Sequence, residues 1–302
     1  MKIAVVGAYG VGRAYGIDRA PGAGETIRAT SSHDSHGGKG SNQAVAAARL
    51  GADVSLLTAI GRDDAGRAAR ELWASEGVDD SAVVVRDAPT MTGVILVEPS
   101  GENRIVISSG ALEQLSPADV DAYRSTIAAS DMLIVSLEIP LGVAFHAIAV
   151  AREAGVRVLL NPAPAATIPR DVLANVDVLT PNATEASAIL GDSKAEPLAE
   201  LRQLTNALIV QTLGADGAVI VDLDGAPRRV DAVRPERVVD TTGAGDSFTA
   251  ALAVALLAGL PSDAAVAWAA AAGARTVQTP GVIPALPRRH DLPPLDTDGI
   301  RF

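Results

Sequence analysis

Ile3-Ala4-Val5-Val6, halted by Gly7, is a short apolar run with three β-branched members and no polar face, as expected of a strand buried on both sides of a parallel sheet. Similar runs recur at Val54 to Leu57, Met132 to Val135, Val156 to Leu160, Val178 to Leu179, Ala207 to Val210 and Ala218 to Val221. Helix-like stretches separate them: Asn42 to Leu50, Ala65 to Glu76, Leu141 to Ala154, Thr184 to Leu190 and Asp246 to Leu257. Strands alternating with helices predict the α/β class, a Rossmann-like, mainly parallel sheet flanked by helices, in a single domain over residues 1–302.

Two segments break the alternation. Met91 to Val97 and Arg104 to Ile107 flank Pro99-Ser100-Gly101-Glu102-Asn103 and read as a hairpin, while the segment after the first strand contains the extended candidate Glu25 to Thr30. Strands without crossover helices predict a small β-sheet lid, formed by about 10–36 and 90–108, over the carboxyl ends of the main strands, where open α/β sheets bind ligands. Residues 287–302, rich in proline and without period, are expected to form a C-terminal surface tail.

A chain of 302 residues is long enough to bury roughly three quarters of its unfolded surface. With 48% hydrophobic and 3% aromatic residues, its core is aliphatic and it lacks stacking platforms for single-stranded nucleic acid. The net charge of −11 repels a polyphosphate backbone, so no nucleic-acid partner is expected. Zero cysteines exclude disulfides, thiolate metal sites and cysteine nucleophiles. Met1 to Val6 is too short for a signal peptide and Phe248 to Leu260 too short to span a bilayer, so the expectation is a cytoplasmic protein with no membrane partner.

Three glycine clusters carry the chemistry. Gly7-Ala8-Tyr9-Gly10-Val11-Gly12 has the wrong spacing for a dinucleotide fingerprint and no helical period behind it; it reads as the exit from a strand into the lid. Gly37-Gly38-Lys39-Gly40-Ser41-Asn42 fails the P-loop pattern at His33 and at Gly40, yet Lys39, one of only three lysines, and Asn42 supply donors and an acceptor suited to hydroxyls. Asp240-Thr241-Thr242-Gly243-Ala244-Gly245-Asp246-Ser247-Phe248 opens a long apolar helix. Small residues at that helix start leave N–H groups aimed at one point, and Asp246 in the first turn is either a cap or a general base beside an anion hole for a phosphoryl group in transfer.

These motifs resemble the ribokinase-like carbohydrate kinases of the PfkB family. The similarity runs from Ile3 to about Pro287. It also rests on Gln43-Ala44-Val45-Ala46-Ala47-Ala48, Gly61-Arg62-Asp63-Asp64-Ala65-Gly66, Thr92-Gly93-Val94, Asn161-Pro162-Ala163-Pro164-Ala165, Pro181-Asn182-Ala183-Thr184-Glu185 and Thr212-Leu213-Gly214-Ala215-Asp216-Gly217. The resemblance implies ATP-dependent phosphorylation of a hydroxyl of a small sugar, a ribose-like pentose or a relative. It implies Asp246 as catalytic base, Gly243, Ala244 and Gly245 as the anion hole, and Gly38, Lys39, Asn42 and Glu138, with Asp246, around the sugar. Asn182 and Glu185 match the motif associated with Mg²⁺ and phosphates, and Thr212, Gly214 and Gly217 the nucleotide loop. Asp240, Thr242, Thr276, Thr279 and Gly281 align with positions around a monovalent cation, K⁺. A homodimer through the lid strands is also expected, since exposed sheet edges tend to be paired or covered.

The chain departs from the family at Gly10 and Gly12, which stand where sugar-phosphorylating members carry an asparagine and an aspartate that hold hydroxyls. A buried hydroxyl without a partner costs on the order of 1–3 kcal/mol, so water, other side chains or a different substrate fills that space. Arg13, Tyr15, His33 and His36 are candidates to compensate. An Asp246 near the reference carboxylate pKa of about 3.9 would be ionised at neutral pH and able to accept a hydroxyl proton. Two other readings stand beside the sugar kinase: a nucleoside kinase of the same fold, and a non-catalytic sugar-binding protein on this scaffold.

Overall fold

The computed structural model describes residues 1–99, 103–191, 196–223 and 226–295. Its main sheet runs, edge to edge, Arg228–Val230, Ala218–Val221, Leu208–Thr212, Val178–Leu179, Arg157–Asn161, Met132–Ser136, Lys2–Val6, Asp53–Leu57 and Val78–Asp79. Neighbours pair parallel except at one edge, where Ala218–Val221 lies antiparallel to both Leu208–Thr212 and Arg228–Val230. Alternation of side chains along each strand divides the core in two. Ile3, Val5, Val54, Leu56, Met132 and Ile134 pack on one face against residues of helices Lys39–Arg49, Asp64–Glu76, Ala244–Leu257 and Ser262–Thr276. Ala4, Val6, Leu57, Leu133, Val135 and Leu160 pack on the other, against Pro117–Ala128, Leu141–Glu153, Ala183–Ile189 and Pro197–Leu204.

From Lys2–Val6 the chain moves to Asp53–Leu57 on one side and returns later to Met132–Ser136 on the other. That reversal opens a crevice at the carboxyl ends of these strands. The start of helix Lys39–Arg49 enters it because two glycines let backbones touch: a Cβ at Gly40 would stand 2.5 Å from the Gly7 carbonyl carbon and 2.6 Å from its Cα. Ser41 N–H donates to Ala8 O at 2.9 Å, fixing the same junction. The far end of this helix is held by Arg49, whose buried guanidinium grips Glu76 bidentately (2.6 and 2.9 Å) and donates to the carbonyls of Ile283 and Leu286.

The separate small sheet has the order Ser31–Gly37, Gly10–Gly16, Thr92–Val97, Asn103–Ser108. Its second half matches the expected hairpin, whose turn at Ser100, Gly101 and Glu102 lies outside the described residues. Its first half corrects the expected strand Glu25 to Thr30: the strands are Gly10–Gly16 and Ser31–Gly37, and Glu25 instead closes a turn. Glu25 pairs with Arg19, its carboxylate accepts from Gly22 N–H at 2.8 Å, and its own N–H donates to Gly22 O. Beyond Pro287 most residues as far as 295 are exposed, and the stretch is pinned to the body at a few points. Leu292 is buried in the core, Trp268 Nε1 donates to Pro293 O at 3.0 Å, and the Arg289 guanidinium lies over the Trp268 ring.

Substituting Gly40→Ala tests the junction. The added methyl has nowhere to go without moving helix from strand, so thermal unfolding should show a loss of about 1–3 kcal/mol, the usual cost of overpacking. Unchanged stability would mean that the contact is slack.

Candidate active site

Asp246 stands in the first turn of helix Ala244–Leu257 and is 6% exposed, yet it faces polar groups and not the apolar core. Its Oδ2 accepts from Asn42 Nδ2 at 2.8 Å and its Oδ1 from Gln43 Nε2 at 3.1 Å. Both donors come from helix Lys39–Arg49, so the Gly7–Gly40 contact is what brings them to the carboxylate. Lys39 and Glu138 complete the cluster: Glu138 Oε2 accepts from Lys39 N–H at 2.7 Å, and the Lys39 ammonium feels the charges of Asp246, Glu138 and Glu185.

Gly243 precedes the helix with φ +82°, a left-handed conformation that glycine adopts without strain. Helix geometry then leaves the first-turn N–H groups of Gly245 and Asp246 without intrahelical acceptors, and Gly245 is exposed while Asp246 behind it is buried. Asp240 anchors the preceding loop: its Oδ1 accepts from Thr242 N–H and its Oδ2 from Gly281 N–H, both at 2.9 Å. Thr276 is fully buried; its hydroxyl, with a single proton to give, lies 2.8 Å from Ser247 Oγ and 3.0 Å from Ala272 O, while its carbonyl accepts from Thr279 N–H. Asp240, Thr242 and Gly281 are therefore gathered on one carboxylate, and Thr276 and Thr279 on the adjoining helix end.

Asn182 and Glu185 cap helix Ala183–Ile189 reciprocally: Glu185 N–H donates to Asn182 Oδ1 and Asn182 N–H to Glu185 Oε2, each at 2.8 Å. Asn182 also bridges to Thr212, and Thr212 N–H donates to Pro181 O. Gly214 and Gly217, at φ +59° and +86°, turn the chain directly after Thr212. Thr212, Gly214 and Gly217 are thus contiguous with Asn182, and Glu185 is linked to Lys39 through its charge. Among the described residues no cluster of three or more acidic or histidine side chains is arranged to hold a metal ion.

Three of the four residues considered as compensating for Gly10 and Gly12 lie on the other face of their sheet. Alternation along Gly10–Gly16 sets Arg13 and Tyr15 on the face opposite to Gly10 and Gly12, and His36, paired with Val11, joins them. Those residues line a separate cavity of about 610 Å³ between the small sheet and helix Asp64–Glu76. Arg13 is engaged there with Asp34 at 2.5 Å, and His36 Nδ1 shares a 2.8 Å hydrogen bond with the Tyr9 hydroxyl. Only His33, paired with Ala14, shares the face of Gly10. A Cβ at Gly10 would collide with the side chain and carbonyl of Met91, and one at Gly12 would meet Ile95 Cδ1 and Ser35 Oγ at 3.3 Å.

The described fold agrees with that of known proteins. The pfkB family carbohydrate kinase pattern matches residues 2–289. The chain belongs to the pfkB family of carbohydrate kinases. It is an ATP-dependent sugar kinase. A ribokinase of Haemophilus influenzae is 36% identical over 275 residues, covering 89% of each chain. A bifunctional ribokinase/ribose-5-phosphate isomerase A of Fructilactobacillus sanfranciscensis is 35% identical over 96% of this chain, which spans 55% of that protein's length. The structure of Arabidopsis thaliana ribokinase complexed with ribose and ATP superposes with a TM-score of 0.87 at 30% identity, over 96% of each chain.

In this sugar kinase the expectation of an ordinary Asp246 needs correction. Burial pushes its carboxyl above the usual carboxylate range, against the opposing pull of the Lys39 ammonium and of the Asn42 and Gln43 amides. Burial also raises Glu138 and Glu185. It would lower Lys39, but the three carboxylates around the ammonium outweigh it and the net direction is upward. Two residues of the cluster were not singled out from sequence, Gln43 and Asn161; the only cue was that each lies inside a quoted motif.

A carboxyl raised in the folded state ionises more readily in the unfolded chain, so the wild-type protein loses stability as pH rises through the folded-state value. Asp246→Asn has nothing to ionise at that position. Its Tm advantage over wild type should grow from about pH 4 upward in sugar-free buffer, and a difference that stays flat with pH would contradict the assigned direction.

Proposed function

We propose that Asp246 is the general base for transfer of the γ-phosphoryl group of ATP to a hydroxyl of a small sugar, a ribose-like pentose or a relative, with the N–H groups of Gly243, Ala244 and Gly245 as the anion hole. The supporting observation is a carboxylate held between two amide donors immediately behind an exposed helix N-terminus. Gly38, Lys39, Asn42 and Glu138 hold the sugar. Asp246 accepts the hydroxyl proton while the alcohol oxygen forms the new O–P bond and the bond to the β-phosphate breaks, releasing ADP. A base with a raised pKa accepts that proton with a better driving force than an ordinary aspartate. Gly245 N–H, which has no intrahelical acceptor, meets the charge that gathers on the transferred group, and Ala244 N–H, which here donates to Thr241 O at 3.3 Å, joins it by releasing that bond. Closure of the small sheet as a lid excludes water as a competing acceptor.

Asn182 and Glu185 would hold the Mg²⁺ of the nucleotide, which neutralises phosphate charge. The donor set fits: Mg²⁺ uses one or two carboxylates with phosphates and waters and needs no protein cage. Thr212, Gly214 and Gly217 line the nucleotide loop. The loop around Asp240, Thr242, Thr276, Thr279 and Gly281, which the Asp240 carboxylate ties together through Thr242 and Gly281 N–H, would hold K⁺ largely through backbone carbonyls.

ADP release should be measured over a panel of pentoses, deoxypentoses, hexoses and nucleosides, with Mg²⁺ and K⁺ present and with each withheld. A small sugar should be the best substrate, and omission of either ion should slow turnover. Asp246→Asn should lose about 10²–10⁴-fold in kcat with an unaltered circular dichroism spectrum. An active variant would remove Asp246 from the role of base.

The small sheet supports the reading of a homodimer. Val94, Ile105, Val106 and Ile107 are 42–71% exposed there, and Asn103–Ser108 is an edge strand with unpaired backbone groups. A second copy covering this sheet accounts for both features. Sedimentation at micromolar concentration should report a dimer, and Ile105→Asp with Ile107→Asp a monomer; a wild-type monomer sinks the proposal.

A further inference from the structure

We propose that Gln43, itself oriented by Asn161, is a positioning residue that presents a fixed hydrogen-bond donor to Asp246 and keeps that carboxylate aimed for proton acceptance. The inference rests on the reading of Asp246 as the base, and it assigns a role to two residues outside the sugar, nucleotide and cation sets.

The orientation of the two amides follows from an atom that cannot change its role. Asn161 Nδ2 lies 3.2 Å from the backbone carbonyl of Thr180, which can only accept, so the Asn161 NH₂ must face it. Asn161 Oδ1 therefore turns toward Gln43 and accepts from Gln43 Nε2 at 3.0 Å. With one Gln43 proton committed to Asn161, the other is directed at Asp246 Oδ1 at 3.1 Å. A flip of the Gln43 amide would set its oxygen against two acceptor oxygens. Asn161 ends strand Arg157–Asn161 and Thr180 follows the neighbouring strand Val178–Leu179, so the main sheet itself dictates which way the donor points.

The arrangement is costly to the fold. Gln43 is fully buried and its Oε1 has no hydrogen-bond partner, so a leucine or methionine of similar volume would remove an orphaned acceptor. Keeping glutamine there makes sense through its two donated protons. The charged groups facing Asp246 are Lys39, from the same helix as Gln43, and Glu138, from the turn after Met132–Ser136. Asn42 donates to the other carboxylate oxygen. Gln43 is thus the donor to Oδ1 that neither Lys39 nor Asn42 replaces.

The test compares wild type, Gln43→Leu, Asn161→Leu and the double variant as full chains, with Gln43→Met as a second choice should Gln43→Leu fail to fold. Gln43→Leu should lower kcat on the order of 10²-fold with little change in the KM for sugar, and should move the acidic limb of the pH profile upward. Because Asn161 acts through Gln43, the double variant should be no slower than Gln43→Leu alone. A readout without turnover accompanies it: the carboxyl ¹³C signal lost in Asp246→Asn should titrate at higher pH in Gln43→Leu than in wild type. An unmoved titration and pH limb, or single effects that multiply in the double variant, would overturn the positioning role. An inactive wild-type chain whose Asp246 signal still shifts would sink the kinase reading alone.

Discussion

A carboxylate removed from water keeps its charge only where donors and cations replace the solvent, and Asp246 has a set of them: two side-chain amides, one ammonium and the start of a helix. Burial still wins part of the contest, leaving the acid raised. The same balance governs its neighbours, since Glu138 and Glu185 are raised by burial while Lys39 is raised by the acids around it. The cluster is coupled: a change in charge at one member alters the protonation of the others. A proton gained or lost at Asp246 is therefore felt by surroundings that already respond to charge.

That cluster exists only because helix Lys39–Arg49 is pressed into the crevice at the carboxyl ends of the central strands. Gly7 and Gly40 allow the approach, and Gly38, at φ +88° and with no room for a Cβ beside Ala8 O and Tyr9 Cα, sets the entry angle. Trp73 Nε1 donates to Ser41 Oγ and its ring meets Tyr9 edge-on, so helix Asp64–Glu76 braces the same helix start from behind. At its other end Arg49 ties the helix to Glu76 and to the carbonyls of Ile283 and Leu286, just past Gly281. Helix Lys39–Arg49 and the loop around Asp240 are therefore linked through ordinary packing and one buried ion pair.

Much of this was legible in advance. The apolar runs located the central strands within one or two residues because a strand buried on both faces tolerates few polar side chains, and the glycine clusters marked where backbones must approach. Glu25 to Thr30 misled because an extended-looking stretch carries no information about a carboxylate that folds back onto Gly22 and Arg19. Helix Ser262–Thr276 escaped notice because a run of alanines has no amphipathic period, although Trp268 within it is buried. Proline content after residue 287 suggested a surface segment, and what it did not reveal is that Leu292 and the Trp268 contacts pin that segment to the body.

Residue types and their order were enough to set the fold class, the family and the chemical candidates, because periodicity and glycine spacing are local properties of the chain. Which groups meet was decided by tertiary structure. Asn42 and Asp246 are 204 positions apart and Gln43 and Asn161 are 118 apart, and no local rule couples such distant residues. The face on which Arg13, Tyr15 and His36 fall was likewise set by strand register, and the raised carboxyl of Asp246 by the depth at which two helices bury it. Burial and pairing are properties of the assembled sheet and helices, and they turn a list of polar residues into a site.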